Sequence, residues 1–120
     1  MGDGAAGPSG IWWLPVYHVL DRGDRQEPIV HSDGDRAAFI RTLGEACERT
    51  GWRVHAFVLM SNHYHLLIDT PQPNLVAGMR WFQTTWTVRF NRYHHLSGHV
   101  FKGGIKQSWL IRKSGDISSR

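Results

Sequence analysis

Met60-Ser61-Asn62-His63-Tyr64-His65-Leu66-Leu67-Ile68-Asp69 is the stretch on which the reading of this chain turns. Ser-Asn is turn chemistry and the Leu-Leu-Ile run behind it is strand-forming, so the segment reads as the second arm of a hairpin. Residues two apart on a strand share a face and stand roughly 6–7 Å apart. His63 and His65 therefore project to one side, and Tyr64, Leu66 and Ile68 to the other. Two neutral imidazoles on a rigid strand can hold one divalent cation and leave positions open for substrate oxygens. An arbitrary His-x-His on a strand is by default polar surface. The order turn, histidine, large residue, histidine, aliphatic strand favours the ligand reading here.

Working outward, Arg53 to Met60 is rich in strand formers and supplies the first arm of the hairpin. His55 within it reads as structural. Ahead of it, Phe39, Ile40, Leu43, Ala46 and Cys47 form one apolar helical stripe. That helix starts at Ser32 or Asp33, carries Asp33 and Asp35 in its first turn, and stops at Gly51. Tyr17-His18-Val19-Leu20 reads as an earlier strand ended by Asp21-Arg22-Gly23-Asp24, with His18 an ordinary strand-face histidine. Beyond the hairpin, Pro71 and Pro73 break the chain and Asn74 caps a long helix, Leu75 to about His94. Its core stripe is Leu75, Met79, Phe82, Trp86, Phe90 and Tyr93; Arg80, Gln83, Thr84, Thr87 and Arg92 lie off it. Ser97-Gly98 ends the helical region, and His99-Val100-Phe101-Lys102 reads as a last strand entering Gly103-Gly104. Strand, helix, strand, strand, helix, strand gives an α+β, ferredoxin-like antiparallel sheet. Consecutive pairing of its strands puts both helices on one face.

The 120 residues make one small domain. Residues 1–10, rich in Gly and Ala, form a flexible tail, 11–107 the folded domain, and 108–120 an irregular tail. Six Trp, five Phe and three Tyr argue against disorder throughout. Lys and Arg outnumber Asp and Glu by 14 to 10, for a formal net charge of +4 and a pI near 9.7. That balance is compatible with a nucleic-acid partner. Cys47, the single cysteine, forms no internal disulfide and no thiolate zinc cluster. No apolar run spans a membrane and no signal-peptide layout is present, so a soluble cytoplasmic protein is expected.

The hairpin run resembles the His-hydrophobic-His motif of single-tyrosine HUH transposases, especially the REP-associated tyrosine transposases. Tyr17-His18-Val19-Leu20-Asp21-Arg22-Gly23-Asp24 is similar to their opening strand. Arg89-Phe90-Asn91-Arg92 with Ser97-Gly98-His99-Val100-Phe101 is similar to their later segment. The resemblance covers roughly Tyr17 to Lys106 and implies the same ferredoxin-like fold. It also implies cleavage and rejoining of single-stranded or hairpin DNA: one tyrosine attacks a phosphodiester and stays joined to the 5′-phosphate. A cation held by the two histidines, Mg or Mn by resemblance, assists by polarising that phosphate. His63 and His65 then become the metal ligands. Arg80, Arg89, Arg92, Lys102 and Lys106 become candidates for DNA contact, and a homodimer is left open.

In those relatives the tyrosine lies beyond the last strand, in a segment of the form Tyr-aliphatic-x-x-Asn-Pro that also usually brings a third metal ligand. No such segment occurs here, and Gly103-Gly104-Ile105-Lys106 departs from their Gly-Arg-(aromatic)-Lys pattern. The expectation is thus an amino-terminal, decayed or frameshifted piece of a transposase without its nucleophile. Tyr64 points away from the histidines by strand alternation, Tyr17 sits on the first strand, and Tyr93 is the least bad substitute. The alternatives are a non-catalytic binder of single-stranded or hairpin nucleic acid and an inactive pseudogene product.

Overall fold

A computed structural model describes residues 16–102 and the backbone of 111–112. The expected tail at 1–10, the start of order at Ile11-Trp12-Trp13, Lys106 and the stretch from Lys113 onward lie outside the described residues. The elements are β1 (Val16–Arg22), a 3-10 turn (Asp24–Gln26), α1 (Asp33–Thr50), β2 (Arg53–Leu59), β3 (His63–Asp69), α2 (Leu75–His94) and β4 (Ile111–Arg112). The sheet is antiparallel with strand order β2-β3-β1-β4. Pairing is therefore not consecutive throughout. β3 inserts between β1 and β2 because α1 carries the chain across the sheet before the hairpin returns it.

One face of the sheet carries both helices. Val19 of β1 and Tyr64, Leu66 and Ile68 of β3 point into this layer, and none is exposed to solvent. Phe39 of α1 meets Tyr64, Phe82 and Trp86 with ring centroids 5.5, 5.2 and 5.4 Å apart. Trp86 donates its indole N–H to the Ile29 carbonyl at 2.9 Å, so its polar edge is satisfied inside the core. Five β-branched residues of α2, Val76, Thr84, Thr85, Thr87 and Val88, each weaken a helix by up to about 0.7 kcal/mol relative to alanine. Burial of Met79, Phe82, Trp86 and Phe90 offsets this, at about 1.5–3 kcal/mol for each large apolar side chain. Packing wins, and the segment is helical.

The helix ends follow local chemistry with one exception. Ser32 Oγ accepts the Asp35 N–H at 3.1 Å, and Gly51 closes α1 at φ 82° with its N–H on the Cys47 carbonyl. Asn74 precedes α2 without a side-chain cap. Its amide is instead spent on tertiary bonds, accepting from Trp52 Nε1 at 3.0 Å and donating to the Thr50 carbonyl at 2.9 Å. The stripes are also narrower than their spacing suggests, since Ile40 and Tyr93 are exposed. Gln83, off the apolar stripe, is buried because it bonds Asp21 and Tyr64.

The last strand is elsewhere than expected. His99 to Lys102 is no strand; Phe101 makes one isolated bridge to Gly23. The fourth strand is β4, which pairs with β1 through Tyr17–Arg112 and His18–Ile111, so the sheet reaches into the stretch expected to be an irregular tail. Residues at 98–101 pack as a loop because Val100 and Phe101 are both buried, which breaks the period-two pattern of a half-exposed strand.

Candidate functional site

The second face of the sheet bears no helix among the described residues, and the histidines stand there. Cross-strand partners share a face. The registers Arg22–His63, Leu20–His65 and His18–Leu67 from β1, with Val58–His65 and Ala56–Leu67 from β2, therefore define its surface. His63, His65 and Leu67 of β3 are half-buried, whereas their alternates Tyr64, Leu66 and Ile68 are buried in the core. Both sides of that alternation agree with the expected geometry. A depression of about 580 Å³ lies over this face, floored by Val16, His18, Ala56, Val58, His65 and Leu67 among others.

The rings are held through one nitrogen each. His63 Nδ1 lies 2.9 Å from Asn62 Oδ1. An amide oxygen only accepts, so Nδ1 carries the proton and the lone pair of His63 resides on Nε2. His65 Nδ1 lies 3.0 Å from His18 Nε2, and the two rings stack with centroids 5.2 Å apart. The His63 and His65 rings stand edge to face, also 5.2 Å apart. Burial, and secondarily the charges of His18 and His63, hold His65 below the usual imidazole range. That lowering favours the neutral ring, the form that binds cations. The donor chemistry fits a divalent cation held through the two Nε2 atoms, with the Nδ1 atoms oriented by neighbours.

The hairpin tip that carries His63 is anchored by backbone bonds. Ser61 O accepts from Ile29 N–H at 2.7 Å, and Asn62 O accepts from Gly23 N–H at 2.9 Å. Gly23 is needed where it stands, because a Cβ there would lie 2.0 Å from the Glu27 carbonyl oxygen. The following turn holds Arg25 and Gln26 at φ 57° and 62°, left-handed backbone that costs energy for residues with a side chain. It leaves Arg22, Arg25 and Lys102 around a pocket of about 330 Å³ beside the His63 end of the site.

The other expected residues separate into different places. Arg80 and Arg92 are exposed on α2, and Arg80 borders a groove of about 350 Å³ with Gln83, Thr87 and His99. Arg89 is committed to the protein: its guanidinium makes paired bonds to Glu45 at 2.9 and 3.0 Å and a third to Thr42 at 2.9 Å. Those bonds raise Arg89 above, and lower Glu45 below, their ordinary values. His55, at the bulge of β2, bonds Asp69 at 2.8 Å beside Arg53 at 3.2 Å, a structural role as expected.

All three tyrosines stand on the helix side of the sheet. Tyr17 packs against the core and pairs with Ile68. Tyr93 lies edge-on to Trp86 at 6.4 Å. Tyr64 is wholly buried, its hydroxyl 2.8 Å from Gln83 Nε2, and burial with the nearby Asp21 charge drives its pKa beyond the ordinary phenol range.

Two features escaped the sequence reading. His18 and Arg22 join the histidine face, which strand periodicity alone cannot disclose without the β1–β3 register. The second is a group of metal-ligating type, His31, Asp35 and His94, each with a donor atom within 4.8 Å of the others. It joins residues 59 positions apart in the chain, a distance no local motif spans.

No helix among the described residues is long and apolar enough to cross a membrane. The profile of the IS200-like transposases matches residues 12–109. Among curated protein sequences none matches the chain. Among solved structures, a protein from Deinococcus radiodurans described as a transposase is 13% identical, with a TM-score of 0.63 over 89% of this chain and 88% of its own. A REP-associated tyrosine transposase bound to a REP hairpin is 10% identical, with a TM-score of 0.56 over 78% of this chain and 56% of its own. At such identities the two structures speak to the fold, which they share as an α+β arrangement. The family assignment rests on the profile, which spans most of the sequence: this chain belongs to the IS200-like transposase family.

Proposed function

We propose that the chain is the metal- and DNA-binding domain of a transposase that works on single-stranded or hairpin DNA by metal-assisted cleavage and rejoining. The observation that carries this reading is the pair of strand histidines, both oriented through Nδ1 so that Nε2 is left for a ligand. A divalent cation bound there, Mg or Mn, supplies polarisation of a scissile phosphate. The protein's own part is to hold that phosphate against the sheet. Arg22, paired with His63 on the same face, and Lys102, whose N–H bonds the Arg22 carbonyl at 3.0 Å, offer charge beside it. Arg80 and Arg92 extend a basic path along α2, whereas Arg89 contributes to the fold. Lys106 stays a candidate contact, and a homodimer a candidate assembly.

A second reading is supported by the tyrosines. With Tyr17, Tyr64 and Tyr93 all on the helix side, none can reach a phosphate over the histidines, so the chain by itself binds DNA without joining to it. That is the behaviour of a non-catalytic binder. The test incubates the protein with Mn and a labelled hairpin carrying single-stranded flanks. The expected result is retention of the DNA at low salt with no denaturant-stable protein–DNA adduct. An adduct abolished by Tyr93→Phe would overturn the exclusion of Tyr93. Absence of any binding at low salt would overturn both readings.

A further inference from the structure

The geometry points to a second metal site, built by His31, Asp35 and His94 where the start of α1 meets the end of α2. It is of a transition-metal class and serves as a clip between the start of α1 and the end of α2. The residues converge from different elements: His31 from the loop before α1, Asp35 from its first turn, and His94 from the last residue of α2. Asp35 is the anchor. Its side chain is only 6% exposed, and a buried carboxylate needs strong partners.

Its bonding is lopsided. Oδ2 accepts from the His31 backbone N–H at 2.7 Å and meets His94 Nε2 at 2.7 Å. Oδ1 has no partner among the described residues. A lone-pair-bearing oxygen is thus left beside two imidazoles whose ring centroids are 4.5 Å apart. The Phe90 ring backs both, at 5.0 and 4.7 Å, which shields one side and restricts ring rotation. The exposed His31 ring is the door through which an ion enters.

Donor chemistry selects the ion. Two imidazoles and one carboxylate suit Zn, Co or Ni, and suit Mg and Ca poorly because those prefer oxygen shells. Tetrahedral zinc with bonds near 2.0–2.1 Å sets its donors about 3.3 Å apart. The present donors, all within 4.8 Å, reach that spacing by modest rotation of the exposed His31 ring and a slight opening of the Asp35–His94 contact. The positive start of α1 and the negative end of α2 both face the site and oppose each other, so the carboxylate charge decides. Two neutral imidazoles and one carboxylate leave a bound divalent ion with net charge of about +1, tolerable beside solvent-exposed His31.

The test uses the full chain carrying His63→Ala and His65→Ala, so that the strand site is silent. Cobalt(II) absorption and calorimetric titration with Zn should show one remaining site per chain, and Zn should raise the melting temperature. Adding His31→Ala, which removes only an exposed ring, should weaken binding tenfold or more and abolish the rise. Adding His94→Gln, which can still donate a hydrogen bond to Asp35 but lacks the imidazole, should do the same. The proposal is overturned if the His63→Ala/His65→Ala protein binds no ion. It is equally overturned if His31→Ala and His94→Gln leave affinity and the melting shift unchanged.

Discussion

His65 is the residue on which the site's chemistry turns, because it is flanked by two other imidazoles and partly desolvated. Burial comes first among the causes that depress its protonation, with His18 and His63 adding charge repulsion. Its ring should therefore titrate below the ordinary value of about 6.5, as read from the Cε1 proton by NMR on the metal-free protein. In the window between that lowered value and 6.5, the unfolded chain holds a proton the folded chain lacks. Stability must then fall as pH drops through the window. His18→Ala removes both cover and charge, so it should move the His65 midpoint back toward 6.5; an unmoved midpoint would show that His18 does not act on His65. Period-two alternation made His63 and His65 legible from sequence. His18 and Arg22 were not, since their place depends on which strand pairs with β3 and in what register. Asn62 read as a turn residue only, and its bond to His63 Nδ1 emerges from the fold.

At the scale of elements, α2 shows how tertiary demands override local signals. Gly78 sits in the first turn of α2, although glycine is a poor helix former, because a Cβ there would lie 2.2 Å from Trp52 Cζ2 and 2.9 Å from Thr50 Cγ2. Gly78→Ala should destabilise by about 1–3 kcal/mol, the range for forcing extra volume into a packed contact. A gain in denaturation midpoint would mean that Trp52 yields readily. Trp52 also explains why Asn74 does not cap the helix, since the indole N–H occupies Asn74 Oδ1. The ends of α1 were readable in Ser32 and Gly51 because their partners are local. Arg89 looked like a free cation on a helix face, yet its fork is filled by Glu45 and Thr42 across the helix pair. Arg89→Ala should lower the melting temperature while leaving the salt dependence of DNA binding intact. Arg80→Ala and Arg92→Ala should do the reverse. A flattened salt dependence in Arg89→Ala alone would return Arg89 to the DNA surface.

For the whole molecule, the sheet divides the labour: one face is closed by two helices over an aromatic core, and the other presents histidines on an apolar floor. The sequence periodicities implied both helices and the hairpin, and the order of elements implied the ferredoxin-like sheet. They misplaced the last strand, because Val100 and Phe101 mimic a strand while serving as a buried loop. Binding of single-stranded DNA should weaken with salt in proportion to the phosphates contacted, each contact contributing about 0.7 to the logarithmic slope. Loss of Arg22 or Lys102 should therefore flatten the slope by about that amount; an unchanged slope in both variants would remove the proposed phosphate path beside His63. The central claim, that the open face holds a divalent cation through His63 and His65, is tested most directly by Mn(II) line broadening of the assigned amide spectrum. Substoichiometric Mn(II) should bleach His63 and His65 first, with their cross-strand partners Arg22 and Leu20, and His63→Ala/His65→Ala should erase that pattern. Bleaching confined to His31 and His94, or broadening of Arg22 and Leu20 that survives the double substitution, would contradict the account.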